Sequence, residues 1–300
     1  MLGFIQEHGP YLLKDGAAEF DFTLNELSWN KEANMLYIEQ PAGVGFSFGD
    51  CDAKPEQCFY DDNNMAEENL VSLLNWFKKF PEFKTNDLYI SGESYAGIYV
   101  PYTVNQIHHH NAVHSRDPNQ FKPNLKGMMV GNGCTNWEYD TDVAYHEMAY
   151  WHSLYPGSVW KQMLDLQCNF SGGEWGDPLP EGCQQLSDIF WAAVGEVNIY
   201  NIEGTCWKPA PGESKKGLRY RDGQLKTYNK WATAADLTPW RFKNIKNVGE
   251  VPPCVYGQPI IDYFGLPEVR EALHIPSSYK EWDLCGGGDN WNYTPLRIGS

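Results

Sequence analysis

The residues best suited to chemistry lie at positions 89–97, in the sequence YISGESYAG. Ser94 stands in a Gly-x-Ser-x-small pattern, between a short apolar run and a helix-favouring stretch. A serine on such a sharp turn has an exposed hydroxyl, and its neighbours must be small because the turn is crowded. Gly92 and Ala96 meet that requirement, with Ala96 replacing the more usual second glycine. The pattern predicts that Ser94 is a nucleophile; the alternative is an ordinary turn.

The same turn supplies a donor for the charge that develops during attack on a carbonyl group. The backbone N–H of Tyr95 would lie at the N-terminus of the following helix, where the helix dipole favours negative charge. Because a serine nucleophile works through a covalent acyl intermediate, the expected reaction is acyl transfer at Ser94.

Apolar runs and turn residues predict the elements that position this turn. Residues 34–39, 87–91 and 125–130 have the composition of buried strands in a parallel sheet. Asp61 and Asp62 precede a helix that Pro81 closes, and a second helix is predicted from about Tyr95 to His108. Strand, helix, strand, helix, strand at this spacing is typical of βαβ units.

This pattern breaks down between residues 158 and 253, which are rich in Gly, Pro and Cys. We interpret them as an inserted, mainly helical cap with disulfides, lying over the C-terminal edge of the sheet. Its basic part, residues 208–246, is expected to be a solvated loop. Residues 1–157 would then be the first part of the core, and residues 254–300 would return to it.

Composition excludes several classes of function. The net charge of −16 disfavours nucleic acid as a partner. No apolar run is long enough to span a bilayer, so no membrane insertion is expected. The eight cysteines include no Cys-x-x-Cys pair, which argues against zinc. Together with N-glycosylation sequons at Asn169 and Asn292, the cysteines favour a secretory compartment.

The run His108-His109-His110 with His114 is the one candidate for a metal site. Histidines at positions i and i+4 share a helix face, but no carboxylate or cysteine completes the set at helical spacing. We therefore predict no metal.

Five stretches together resemble the serine carboxypeptidase family, in that family's order and at compatible spacing. They are NMLYIEQPAGVGFSF at 34–48, YISGESYAGIYVP at 89–101, KGMMVGNG at 126–133, VNIYNIEGTC at 197–206 and YFGLPEVREALHI at 263–275. The resemblance covers nearly the whole chain. It implies the α/β-hydrolase fold, a doubly wound and mostly parallel sheet with an inserted cap.

The resemblance also implies roles for four residues and a class of substrate. Ser94 matches the family's nucleophile and Tyr95 its oxyanion-hole amide, while Glu93 and Glu7 match a pair of glutamates that binds the substrate's C-terminal carboxylate. A protonated member of that pair would donate to the substrate, so binding is expected to be best at acidic pH. The implied activity is release of C-terminal amino acids from peptides or proteins, with no cofactor. Oligomeric state is left open.

Two alternatives to this activity follow from the same residues. One is an acyltransferase on the same scaffold, in which an alcohol rather than water resolves the acyl-enzyme. The other, if the 300 residues are the whole protein, is a non-catalytic peptide-binding pseudoenzyme, because the family's Gly-Gly-Pro-Gly segment would precede Met1 and its catalytic Asp and His would follow Ser300. The chain is thus expected to be an internal fragment, inactive alone, of a protein in the lysosome, vacuole or extracellular space.

Proximity and the family's cap pattern predict three disulfides, Cys51–Cys58, Cys168–Cys183 and Cys206–Cys254. Cys134 is expected to be a free, buried thiol. Cys285 would pair with a cysteine outside the chain. The basic residues at 215–221 are a predicted processing site within the cap.

Overall fold

The computed structural model describes most of the first 170 residues and shorter stretches beyond them. The described residues are 2–13, 22–47, 59–136, 139–140, 142–170, 179–194, 197, 202, 216–221, 224–229, 258–283 and 292–294. They belong to two compact units, which are described separately. One lies within Met1–Glu39, Gly43–Phe48 and His146–Asp289, and the other within Gln40–Ala42, Gly49–Tyr145 and Asn290–Ser300.

The strands are β1 (Tyr11–Leu13), β2 (Phe22–Leu24), β3 (Phe59–Asp61), β4 (Leu88–Glu93), β5 (Leu125–Gly131), β6 (Lys216–Arg221), β7 (Gln224–Asn229) and β8 (Asn292–Thr294). The α-helices are α1 (Asp62–Lys79), α2 (Ala96–Val113), α3 (Asp142–Trp151), α4 (Gly157–Asp165), α5 (Glu181–Val194), α6 (Gln258–Gly265) and α7 (Pro267–Ala272). A π-helical turn, Gly3–Glu7, and two short 3₁₀ turns, Trp29–Lys31 and Pro81–Phe83, complete the elements of the described residues.

Helix α1 begins at a complete capping box. The carboxylate of Asp61 accepts hydrogen bonds from the backbone N–H groups of Asn63 and Asn64, both at 2.9 Å. In return the Asn64 side chain accepts from the backbone N–H of Asp61 at 2.8 Å. These bonds satisfy donors that would otherwise lack partners at the start of a helix, and they fix where α1 begins.

The parallel pair β4–β5 carries the turn at Ser94. Its register runs from Tyr89 opposite Gly127 to Glu93 opposite Gly131, so both strands end at the same edge. Leu73 and Phe77 of α1 and Ile107 of α2 form one buried cluster with residues of both strands packed against it. The last four of the five predicted elements, in the order helix–strand–helix–strand, are thus present as α1, β4, α2 and β5. Strand β3 also pairs in parallel, with β8.

The other unit contains α4, α5, α6, α7 and two antiparallel strand pairs, β1–β2 and β6–β7, while the boundary between the two units falls within α3. One buried cluster of this unit consists of Ile5, Leu13, Phe46, Ile260, Ile261, Phe264 and Trp282. The predicted disulfide Cys168–Cys183 is present and ties the segment after α4 to α5. Cys134 carries a thiol as predicted, but it is half-buried rather than buried. Outside the described residues lie the other cysteines, Cys51, Cys58, Cys206, Cys254 and Cys285.

Two local predictions are wrong. Residues 34–39 form no strand, since Leu36 and Ile38 are 40% and 44% exposed and no described strand pairs with them. The basic segment is not simply a loop, because β6 and β7 form an antiparallel hairpin there. The sequence signal for this hairpin is the dipeptide Asp222-Gly223, because Asp-Gly favours a two-residue turn between antiparallel strands. The domain bounds at 157/158 and 253/254 stay predictions.

No helix among the described residues is long and apolar enough to cross a membrane.

Candidate active site

The backbone at Ser94 adopts a conformation that is rare for a residue with a side chain. Its φ is 62°, in the left-handed region, which costs about 1–2 kcal/mol outside glycine. Three backbone hydrogen bonds hold it: Ser94 N–H donates to the Gly131 carbonyl at 3.1 Å, and the Ser94 carbonyl accepts from Gly97 at 2.9 Å and Cys134 at 2.8 Å. A strained serine held between a strand and a helix is the arrangement that exposes a nucleophile.

Close packing around the turn explains its small residues. A Cβ atom on Gly92 would lie 2.4 Å from the Cβ of Ala96 and 3.0 Å from a methyl carbon of Val100. A Cβ on Gly97 would lie 2.5 Å from the carbonyl oxygen of Cys134. Glycine at both positions lets β4, the first turn of α2 and the loop after β5 approach one another at backbone distance.

Tyr95 links the turn to α1 through its side chain. It precedes the first residue of α2, and its hydroxyl donates a 3.1 Å hydrogen bond to Oδ1 of Asp62. Its ring lies 4.9 Å from that of Tyr99. Burial raises the pKa of Tyr102, and the carboxylates of Asp62 and then Asp61 raise it further. The hydroxyl groups of Tyr95 and Tyr102, at the start of α2, therefore lie near the acidic start of α1.

A second aspartate organises the loop after β5. Oδ2 of Asp140 accepts from the backbone N–H and hydroxyl of Thr135, at 2.6 and 2.9 Å, and from the N–H of Asn136 at 2.8 Å. Partial burial raises the pKa of Asp140, but the bonds from Asn136 and Thr135 outweigh it and leave the pKa below its usual value. Sequence reasoning missed this residue.

Glu93 is the last residue of β4, exposed and adjacent to Ser94. The structure thus brings Glu93, Ser94 and Tyr95 together in one unit. Glu7 belongs to the other unit, where it ends the π-helical turn with its side chain 48% exposed.

The aromatic side chains of Trp29 and Tyr37 pack against His8, the residue after Glu7. The ring of His8 stacks on that of Trp29, with centroids 4.5 Å apart, and its Nδ1 lies 2.9 Å from the hydroxyl of Tyr37. His8 Nε2 is 3.9 Å from Oε2 of Glu7. Burial raises the pKa of Tyr37, and the Glu7 carboxylate adds to that effect.

Glu39 organises a turn of its own unit, Gly43 to Ser47. Its Oε2 accepts from the backbone N–H of Phe46 at 2.8 Å, and its Oε1 accepts from the indole N–H of Trp282 at 2.7 Å. Gly45 has a φ of 55°, and a Cβ there would lie 2.2 Å from the Glu39 carboxylate. Burial lowers the pKa of Lys280, an effect that Glu39 partly offsets. Sequence reasoning identified a shaped turn here but not the carboxylate at its centre.

No group of three or more His, Cys, Asp or Glu in the described part of the chain is arranged to hold a metal ion. The rings of His110 and His114 lie 4.7 Å apart. His110 Nε2 is 2.9 Å from the carbonyl oxygen of Phe121, so that nitrogen acts as a donor. This geometry points to a structural role for His110.

Comparison with solved structures shows the class of fold. The crystal structure of a prohormone-processing carboxypeptidase from Saccharomyces cerevisiae superposes with a TM-score of 0.59 and 22% sequence identity, over 98% of this chain and 58% of that one. With the turn between β4 and α2, this similarity defines an α/β-hydrolase fold.

Sequence comparison shows the family. The serine carboxypeptidase family model matches residues 1–295, and the chain belongs to that family. Relatives include the lysosomal protective protein of Mus musculus, 33% identical over 98% of this chain and 59% of that protein. Serine carboxypeptidase-like 26 of Oryza sativa subsp. japonica is 32% identical, over 99% and 57%. The chain therefore spans less than two thirds of the length of these relatives.

Proposed function

We propose that the protein is a serine carboxypeptidase that releases C-terminal amino acids from peptides or proteins through an acyl-enzyme on Ser94. The observation that carries this proposal is the backbone at Ser94, with its φ of 62° and its hydrogen bonds to Gly131, Gly97 and Cys134. Strain of this kind persists only where surrounding structure maintains it, and it clusters at functional sites. Membership of the serine carboxypeptidase family supplies the reaction class.

In the proposed reaction, Ser94 Oγ attacks the carbonyl carbon of the last peptide bond while a general base accepts its proton. The backbone N–H of Tyr95 donates to the oxygen that becomes negatively charged. The bond to the leaving amino acid then breaks, and that amine takes up a proton. Water attacks the acyl-enzyme and releases the shortened peptide.

Glu93 and Glu7 are the proposed ligands of the substrate's free carboxylate. For Glu93 this role is supported by its position directly before Ser94 at an exposed strand end. For Glu7 it rests on the resemblance of the Gln6-Glu7-His8-Gly9-Pro10 stretch to the family.

We also propose a secretory-pathway location, in the lysosome or vacuole or outside the cell. The Cys168–Cys183 disulfide supports it, because disulfides persist in oxidising compartments. A relative named lysosomal protective protein is consistent with it.

The test uses the whole protein as its gene encodes it, produced through a secretory pathway. A fluorophosphonate probe should label Ser94, as mapped by mass spectrometry, and Ser94→Ala should abolish labelling. A peptide with a free C-terminus should lose its last residues, whereas the same peptide with an amidated C-terminus should be cut more slowly. Transfer of the acyl group to an added alcohol in preference to water would identify an acyltransferase. Peptide binding without labelling would identify a pseudoenzyme.

A further inference from the structure

A buried carboxylate of α1 contacts the residue that follows Ser94. Asp62 is the first residue of α1 and is 0% exposed. The hydroxyl of Tyr95 donates to its Oδ1 at 3.1 Å, across 33 residues of sequence. Burying a carboxylate is costly unless its oxygens are hydrogen-bonded, so a buried aspartate at this place calls for a specific role.

The position of Asp62 is fixed by the start of α1. The capping box between Asp61 and Asn64 closes the first helical turn around it. The backbone N–H groups there carry the positive end of the helix dipole, which favours a carboxylate at Asp62. Met65 and Ala66, on the next turn, are buried as well. Asp62 is therefore a rigid acceptor rather than a mobile surface acid.

The turn at Ser94, by contrast, needs external support. Ser94 holds a strained φ, and Tyr95 makes no side-chain capping bond at the start of α2. Backbone bonds to Gly131 and Cys134 tie the turn to β5 and the loop after it. The Tyr95–Asp62 bond adds a side-chain tie to a different element, α1.

We propose that Asp62 is a positioning residue for the reaction at Ser94. By holding the Tyr95 hydroxyl, it fixes the orientation of the residue whose backbone N–H faces the developing oxyanion. Asp62 does not touch the substrate, and its effect reaches the reaction through Tyr95. This inference rests on the proposed function of Ser94 and deepens it.

A positioning role predicts a specific kinetic pattern. The backbone N–H of Tyr95 stabilises the oxyanion mainly in the transition state. Displacing this donor should therefore lower kcat and leave KM nearly unchanged. Tyr95→Phe removes one oxygen and keeps the backbone amide, while Asp62→Ala removes the acceptor. Each should lower kcat about tenfold, the order expected when a hydrogen bond to a charged group is lost. Because both changes delete the same bond, the double variant should fall no further than either single one.

Two further variants separate positioning from stability. Asp62→Asn keeps an acceptor oxygen and should recover most of the lost kcat. Leu73→Ala is the matched control: it removes buried contacts further along α1, which costs about 2–5 kcal/mol of stability, and leaves the start of α1 intact. It should lower the melting temperature and keep wild-type kcat.

The measurements are kcat and KM for a free-C-terminus peptide, the rate of fluorophosphonate labelling at Ser94 and the melting temperature, all on the whole protein. Full kcat in Tyr95→Phe would overturn the inference, even where Asp62→Ala does not fold. Additive losses in the double variant, or an equal loss of kcat in Leu73→Ala, would overturn it too. A wild-type protein that neither labels at Ser94 nor releases amino acids would instead refute the proposed function.

Discussion

The backbone N–H of Cys134 donates a 2.8 Å hydrogen bond to the carbonyl oxygen of Ser94. This bond joins the loop after β5 to the turn after β4, at the edge where the two parallel strands end together. The backbone of Cys134 approaches α2 closely because Gly97 has no side chain, and no space remains there for a Cβ atom. The conformation at Ser94 therefore depends on a loop about 40 residues further along the chain, as expected where neighbouring parallel strands end together.

Gly97→Ala should disrupt this contact. The added Cβ would lie 2.5 Å from the Cys134 carbonyl oxygen and 2.8 Å from its backbone nitrogen and carbonyl carbon, and backbone atoms cannot move aside as a side chain can. Overpacking of this kind typically costs about 1–3 kcal/mol. We expect a lower free energy of unfolding in urea and slower fluorophosphonate labelling.

The matched control is Gly127→Ala on β5. A Cβ there would meet only the ring of Tyr89, at 3.5 Å, which is an ordinary contact. It should leave stability and labelling close to wild type. If Gly97→Ala matched this control, the close approach between α2 and Cys134 would be refuted.

Backbone strain at Ser94 predicts an unusual order of stability. Ser94→Gly and Ser94→Ala both remove the hydroxyl, but only glycine adopts a φ of 62° at little cost. We expect Ser94→Gly to be more stable than Ser94→Ala by about 1 kcal/mol in urea unfolding. Ser91, an exposed residue of β4, provides the control, because glycine should be the less stable variant in a strand. The same order at both positions would contradict strain at Ser94.

The elements around Ser94 could be predicted from sequence because their signals are local. The N-cap Asp61 and the breaker Pro81 bracket α1, and apolar runs bounded by Gly and Pro mark β4 and β5. Residues 34–39 have a similar apolar run without being a strand, since a strand also requires a partner. The hairpin β6–β7 differs from the predicted loop because a segment's basic charge does not prevent strand pairing, whereas its Asp-Gly dipeptide favours it.

The contacts that organise the candidate site join residues that are far apart in the sequence. Tyr95 and Asp62 are 33 positions apart, and Glu39 and Trp282 are 243 apart. Spacing along the sequence indicates which face of an element a residue occupies, but not which side chain of a distant element it meets. The contacts of Asp62 and Glu39 therefore could not be predicted from the sequence and required the structure. Ser94, by contrast, could be identified from its own pentapeptide.

The proposed role of Glu93 predicts a change in pH dependence. A carboxyl group that must be protonated to donate to the substrate's carboxylate makes peptide binding weaker towards neutral pH. In Glu93→Gln the amide donates at any pH, so the rise in peptide KM from acidic to neutral pH should flatten. KM values of peptides with free and amidated C-termini, measured across that range, test this. Glu67→Gln, an exposed acid on α1, should behave as wild type. An unchanged rise in Glu93→Gln would refute the carboxylate role.

The lowered pKa of Asp140 predicts that the stability of the protein depends on pH. This pKa is lowered by the hydrogen bonds from Asn136 and Thr135, which outweigh partial burial, so the folded state favours the charged form. The resulting stabilisation is fully present above the unfolded pKa of an aspartate, about 3.9, and is lost as pH falls through the lower folded value. Asp140→Asn carries no charge and accepts more weakly, so its melting temperature should lie below wild type near neutral pH. That difference should shrink below about pH 4. Asp165→Asn, at an exposed pair with Lys161, should change the melting temperature little. A difference between Asp140→Asn and wild type that stayed constant down to pH 2–3 would show that the charge of Asp140 does not stabilise the loop after β5.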